Sequence, residues 1–385
     1  MSTPTPPAVY TRANPFQARL IENRKLNAEG SAKDTRHVVV HLGGSGINYV
    51  AGDSLGVIPR NFPDAVDELL SHLHLDPDTQ IEQPKGGALS LRESLHTQYI
   101  INRVSKKFVK AVLEKLPHGH AKQRLTEITA NEEAFNDYTF ARDYTDVLID
   151  FPVHFAPLEI LPLFNKIAPR LYSIASSPKA HPGEVHLTVA LVNYHSHGRT
   201  KYGLATGYLC MLQELHVDSV PVYIQPTKHF HMPPHDANMI MVGPGTGIAP
   251  FRAFMEERAL AGATGKNWLF FGDQKRATDY LYGPEFEAMK EKGLLTKIDL
   301  AFSRDQAEKI YVQDRIRENG AEFWKWLQEG AYFYICGDAK RMAKDVHQAL
   351  IQVAQTHGGL SPEAAMEYIE VTLAKTEKRY LKDVY

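Results

Sequence analysis

Met239-Ile-Met-Val-Gly-Pro-Gly-Thr-Gly-Ile-Ala-Pro250 runs from a short apolar strand through a glycine-rich turn into a helical stretch that continues to Leu260. Three further apolar runs follow, Trp268-Leu-Phe-Phe271, Ile298-Asp-Leu-Ala-Phe302 and Tyr332-Phe-Tyr-Ile-Cys336, separated by helical segments. Ser361-Pro362 supplies an N-cap and first-turn proline for the last helix. Strand–helix alternation of this kind predicts a parallel sheet covered by helices on both faces, a doubly wound α/β domain over residues 235–385. The turn itself, Gly243, Gly245, Thr246 and Gly247, has the composition of a phosphate cradle. Glycines let the backbone approach a pyrophosphate, and a helix N-terminus offers free N–H groups and a positive dipole. A tight strand-to-helix turn without ligand is the alternative; the three glycines, the threonine and the helix-starting proline favour a nucleotide.

Upstream, the pattern changes. His37-Val-Val-Val-His-Leu42, Tyr172-Ser-Ile-Ala-Ser176, Val185-His-Leu-Thr-Val-Ala-Leu-Val192 and Val220-Pro-Val-Tyr-Ile224 read as strands, and Gly43-Gly-Ser-Gly46 as a hairpin turn. Between them, Ala65-Val-Asp-Glu-Leu-Leu70 and Phe108-Val-Lys-Ala-Val-Leu113 show the three-to-four spacing of helices. The expected organisation is an N-terminal lead at 1–35, an antiparallel β-barrel from 36–62 and 145–234, and a helical insertion at 63–144. The fold class is α/β plus all-β.

At 385 residues the chain has room for two or three domains. Lys plus Arg total 43 against 45 Asp plus Glu, a balance that argues against nucleic acid or a membrane surface as partner. Two cysteines, Cys210 and Cys336, exclude a disulfide framework and a four-thiolate metal site within this chain. The eighteen histidines show no zinc-binding spacing, so no metal is expected. The Ser/Thr/Pro-rich Met1–Pro7 lacks the features of a signal peptide, and no apolar run is long enough for a membrane span. The expected location is the cytoplasm.

Two more segments carry polar groups suited to a nucleotide. Ser303-Arg304 closes a predicted strand and is followed by Lys309, Tyr311 and Gln313. Cations and hydroxyls at that place suit a 2′-phosphate, where an acidic residue would instead bind a ribose hydroxyl. In Arg170-Leu-Tyr172-Ser173-Ile-Ala-Ser-Ser177, arginine, tyrosine and serine could meet a pyrophosphate, an aromatic ring and a ring nitrogen. A barrel strand with a buried serine pair explains the same letters equally well.

Together these segments resemble the FAD/NADPH module of the diflavin reductase family, of the sulfite reductase flavoprotein and NADPH–cytochrome reductase type. The likeness extends from Asn14-Pro-Phe-Gln-Ala18 and Asn23-Arg-Lys-Leu-Asn27 through Ala51-Gly-Asp53 to Lys378-Arg-Tyr-Leu-Lys-Asp-Val-Tyr385. It implies a ferredoxin–NADP reductase-like fold with FAD and NADPH as cofactors. Arg170, Tyr172 and Ser173 would hold the FAD pyrophosphate, flavin ring and N5 region, with further contacts from Thr188, Val189, Ala190 and Tyr194. Gly203, Leu204, Ala205 and Thr206 match a second pyrophosphate loop. Thr246 and its glycines, with Arg36, would take the NADPH pyrophosphate. Ser303, Arg304, Lys309, Tyr311 and Gln313 match the 2′-phosphate and adenosine site, and Asp345 another NADP contact. Cys336-Gly-Asp338 matches the cysteine near the nicotinamide, Asp383 its acidic neighbour, and Tyr385 the terminal aromatic that covers the flavin.

The resemblance makes Ser173, Cys336, Asp383 and Tyr385 the catalytic set. It also leaves a gap: about 35 residues before the barrel are too few for a flavodoxin domain of ~100–150 residues. The expected outlet for electrons is therefore a separate acceptor protein, flavodoxin-like, ferredoxin or haem-containing. A free-standing NADPH diaphorase and a non-catalytic nucleotide-binding subunit are the alternatives.

Overall fold

Neighbouring residues along the strand Met239–Val242 face opposite ways, and both faces are apolar: Ile240 and Val242 enter one buried cluster, Met239 and Met241 another. A strand buried on both faces is what a central parallel strand requires. In the computed structural model, which describes residues 10–84 and 86–385, this strand is the middle of a five-stranded sheet. The expectation for Met1–Pro7 lies outside the described residues.

The chain divides into two units. One comprises residues up to Gly56, Leu171–Ala190 and Glu214–Tyr385; the other comprises Val57–Arg170 and Leu191–Gln213. In the first, an antiparallel sheet is built from β1 (Phe16–Lys25), β2 (Thr35–His41), β3 (Ser54–Val57), β4 (Arg170–Ser173), β5 (Glu184–Ala190) and β6 (Ser219–Gln225), in the order β4-β3-β6-β1-β2-β5. The edge strands meet again at a single bridge between Ile174 and Leu187, where the Ala175 N–H donates to the His186 carbonyl at 2.8 Å. The sheet thus curls until its edges touch at one point, where a fully closed barrel was expected.

β1 falls in the stretch expected as a lead, yet it pairs with both β2 and β6. Its sequence hides it: only Ala18 and Leu20 are buried, and the register shifts between Leu20 and Glu22. Gly43–Gly46 is not a hairpin turn, because β2 pairs with β1 and β5 and never with β3. Its chain instead turns where the Leu42 N–H meets the Gly183 carbonyl.

The parallel sheet of the same unit uses β7 (Met239–Val242), β8 (Asn267–Asp273), β9 (Lys297–Phe302), β10 (Tyr332–Gly337) and β11 (Tyr380–Val384), in the order β9-β8-β7-β10-β11. All four pairings are parallel, as expected. Strand β11 had no apolar signature to announce it. The helices include α1 (Ala249–Leu260), α2 (Val312–Glu318) and α3 (Met342–Gly358). Ser361 caps the following helix by accepting from the Ala364 N–H.

The second unit is helical and has its own core, among them Val66, Leu70, Leu95, Phe108, Val112, Tyr144 and Phe164. It includes the β-ribbon Asn193–Ser196 with Arg199–Tyr202, because ion pairs fasten that ribbon to the helix Tyr144–Asp150 and its cap. Arg199 reaches Glu68, Asp143 and Asp146, and Lys201 reaches Asp143 and Asp146. No helix among the described residues is long and apolar enough to cross a membrane.

A buried polar network joins β2, β5 and α1. His37 Nδ1 lies 2.9 Å from the Tyr282 hydroxyl, which also meets Thr188 Oγ1 at 2.9 Å. Arg252 pairs with Glu256 and Glu285 and stands 3.5 Å from His186 Nδ1. Burial, and then His186 and Arg252, push His37 down to about 3. Burial is also the largest influence on His186, which falls to about 4 although Glu184 works the other way. Both rings are neutral when folded but accept protons below about 6.5 when unfolded. Stability is therefore complete above pH 6.5 and is lost as the pH falls towards about 4. At ~1.4 kcal/mol per tenfold change in proton affinity, the loss amounts to a few kcal/mol. Urea unfolding between pH 6.5 and 4.5 should show a falling midpoint, and His37→Gln should flatten it.

Candidate dinucleotide cleft and reactive cluster

The carboxyl ends of β7, β8, β9 and β10 open onto one cleft of about 430 Å³. This is where an open parallel sheet reverses its strand order and offers a crevice to ligands. Its walls include Pro244 and Gly245 after β7, Gly272 and Asp273 at the end of β8, Ser303 after β9, and Asp338 after β10. Tyr311, Gln313 and Asp345, expected from sequence, also line it.

The three glycines of the turn do different work. A Cβ on Gly247 would stand 2.1 Å from the Cys336 carbonyl oxygen, and one on Gly243 would stand 2.5 Å from the Gly247 carbonyl oxygen. These two are needed for close packing of the turn. Gly245 instead has φ of +56° and open space before it, with Asp273 Oδ2 3.8 Å from a built Cβ. It is the glycine that faces the cleft.

Arg304 and Lys309 are exposed and do not line the cleft; Arg36 does not line it either. The Arg36 guanidinium donates to both oxygens of Asp34, at 2.9 and 3.0 Å, and to Asn23 at 3.3 Å. Lys33 and Arg341 line the cleft in its place. Neither carried a sequence signal; Arg341 lies three residues after Asp338 of the Cys336-Gly-Asp338 segment, the nearest available pointer. Asp338 has a structural task besides, accepting from the N–H groups of Lys340, Arg341 and Met342 ahead of α3.

Beside the turn, the parallel pairing of β10 with β11 sets Asp383 opposite Cys336. The Ser173 hydroxyl donates to Asp383 Oδ2 at 2.5 Å, and the Cys336 thiol reaches the same oxygen at 3.7 Å. Burial, then the Asp383 charge, pushes the Cys336 thiol well up, so it stays protonated and can donate to Asp383. The Tyr385 hydroxyl lies 3.0 Å from Thr246 Oγ1, and its N–H donates to the Gly337 carbonyl. Ser173, Cys336, Asp383, Tyr385 and Thr246, scattered over 213 positions of sequence, thus form one connected group.

Other expected contacts stand differently. Thr188 is buried with its hydroxyl on Tyr282, Val189 is wholly buried, and only Ala190 of the three is exposed. Tyr172 is half-buried on β4 and Arg170 is exposed at its start. In the second unit, Tyr194 and Gly203 line a cleft of about 590 Å³ with Arg103, Lys106, Arg142 and Tyr202. Gly203 precedes the single helical turn Leu204–Gly207, which includes Ala205, and Thr206 Oγ1 accepts from the Val192 N–H at 3.2 Å. Cations and aromatic rings around one turn suit an anionic nucleotide.

Among the described residues, one group could bring three metal-ligand atoms within 4.8 Å: His181, Glu184 and His186. Arg252 stands beside it, and His181 and His186 already meet Glu256 and Glu184. It is a hydrogen-bonded cluster.

Comparison with known proteins identifies two families along the chain. The FAD binding domain family matches residues 9–208, and the oxidoreductase NAD-binding domain matches residues 241–348. The chain is 44% identical over 381 residues to the sulfite reductase [NADPH] flavoprotein alpha-component of Bacillus subtilis (strain 168), covering 98% of this chain and 62% of that protein. The proteins of the same name from Mannheimia succiniciproducens and Cronobacter sakazakii are 42% and 43% identical, again with 98% of this chain and 62% of theirs. The chain therefore spans about three fifths of the length of these relatives.

Proposed function

Because the chain belongs to the FAD binding domain family and carries an oxidoreductase NAD-binding domain, we propose that it is an NADPH-dependent flavoprotein reductase that delivers electrons to a separate acceptor protein. The observation that carries this reading is the Ser173–Asp383–Cys336 group, tied through Tyr385 to Thr246 of the glycine turn. FAD, when bound, supplies the ring that takes a hydride from the nicotinamide and passes electrons on. The chain's own task is to bind, orient and exclude water.

Gly245 and the N–H groups of its turn receive the dinucleotide pyrophosphate. Ser303, Tyr311 and Gln313 receive the adenosine end, with Arg304 and Lys309 closing on its 2′-phosphate from the exposed strand end. Tyr194, Gly203 and the cations beside them in the helical unit would suit a nucleotide diphosphate. At the reacting end, Asp383 fixes the Ser173 hydroxyl and the Cys336 thiol in one orientation, and the complete burial of Cys336 keeps that side dry. Positioning of this kind is what hydride transfer between stacked rings needs. Tyr385, 52% exposed, would cover the ring and lacks the burial that would stop it moving aside for the nicotinamide.

The acceptor is read as a haem, ferredoxin or flavodoxin-like protein, in keeping with relatives named as components of sulfite reductase. A non-catalytic subunit would have no need of the Ser173–Asp383–Cys336 group. Arg304→Ala tests the cofactor choice. Loss of a charge-assisted contact worth ~1.5–3 kcal/mol should raise the NADPH KM by roughly 10–100-fold, with NADH little changed. Equal losses for both would sink the 2′-phosphate assignment.

A further inference from the structure

The loop between β1 and β2 is clipped to the segment that follows β8. Asn27 Nδ2 and Ser31 Oγ both donate to Asp279 Oδ1, at 2.8 and 2.5 Å, and the Ala28 N–H donates to the Thr278 carbonyl at 2.9 Å. Asp279 is itself buried. The clip delivers Lys33 to the wall of the cleft, where its ammonium pairs with Asp273.

Asp273 is an unexpected occupant of a phosphate site. Its side chain is only 1% exposed. Oδ1 takes Lys33 and the Gln274 N–H, while Oδ2 is buried without a hydrogen-bond partner and faces Gly245. A buried carboxylate opposite the glycine turn repels any phosphate placed between them, and an unsatisfied buried oxygen carries its own cost. The Lys33 charge offsets both, but the same ammonium is a cation on the cleft wall that an incoming phosphate can claim. The other charged groups about Asp273 are Asp279 behind it and Asp338, Arg341 and Asp345 around the cleft.

We propose that Lys33 and Asp273 form an exchange pair: the dinucleotide phosphate draws Lys33 away from Asp273, and Asp273 takes a proton from solvent and donates its new O–H towards the phosphate. This deepens the reading of the cleft as the NADPH site and rests on it. Burial already pushes the Asp273 carboxyl upward while Lys33 holds it down, so removing Lys33 favours the neutral acid. Binding is thereby coupled to proton uptake, and affinity falls as the pH rises.

The test is calorimetric titration of the FAD-loaded protein with NADP⁺ at about pH 8, where a phosphate monoester is already ionised. Repeating it in two buffers of different ionisation enthalpy counts the protons taken up. The wild type should take up a sizeable fraction of one proton. Asp273→Asn, which keeps the shape and supplies a donor, should take up almost none and bind about tenfold tighter. Lys33→Met should bind about tenfold weaker than wild type. NADP⁺ binding with equal proton counts in wild type and Asp273→Asn overturns the exchange pair alone. A wild type that does not bind NADP⁺ at all overturns the NADPH reading, and this proposal with it.

Discussion

Replacing Asp383 by alanine is expected to slow the reduction of bound FAD by NADPH by ~10²–10⁴-fold, the range in which positioned polar groups act. The carboxylate is the shared acceptor for the Ser173 hydroxyl and the Cys336 thiol. Without it both donors lose their direction, and Cys336 is left buried with its strongest partner gone. The backbone pairing of β10 with β11 does not depend on the side chain, so the strand should stay in place. NADPH affinity should change only a few-fold, because no part of Asp383 lines the cleft. The discriminating readout is a fall in the limiting reduction rate with little change in the NADPH concentration at half-saturation. Asp383→Asn should fall between, since one amide oxygen can still accept from Ser173. A reduction rate within about threefold of wild type would remove Asp383 from the catalytic group.

The largest effect on stability should come from Gly247→Ala. The added carbon would sit 2.1 Å from the Cys336 carbonyl oxygen and 2.8 Å from its carbon. Both are backbone atoms of an interior strand buried from Phe333 to Gly337, so no side chain can swing aside. Overpacking in a core ordinarily costs ~1–3 kcal/mol and sometimes more; with backbone on both sides of the clash, the upper end applies. The melting temperature should drop by about 5 °C or more, and Cys336 should shift away from Asp383. The same substitution at Gly245 works through backbone strain at φ of +56°, with open space for the methyl group. An alanine at Gly247 that melts like wild type would mean that the turn does not pack against β10 as described.

Much of the dinucleotide domain was legible because its strands are continuous apolar runs and its turn is rich in glycine. What escaped reading did so for physical reasons. β11, Tyr380-Leu-Lys-Asp-Val384, carries two charges and lies at the sheet edge, so no periodicity marked it as a strand. β1 sits mid-sheet but has a register shift and mostly polar letters. The ribbon Arg199–Tyr202 belongs with the helical unit through ion pairs to residues some 55 positions away, which spacing cannot reveal. In the site, the order of Ser173, Cys336, Asp383 and Tyr385 was accessible only through family likeness. Lys33 and Asp273 were missed altogether. Their roles depend on a loop held by Asp279, and a single lysine and aspartate 240 residues apart leave no pattern to find.

The most direct test is anaerobic rapid mixing of the FAD-loaded protein with NADPH and, separately, with NADH, while following flavin absorbance. Rapid bleaching by NADPH with much slower bleaching by NADH is the predicted result. Bound FAD that NADPH leaves oxidised, or that NADH reduces equally well, would contradict an NADPH-dependent hydride-accepting site.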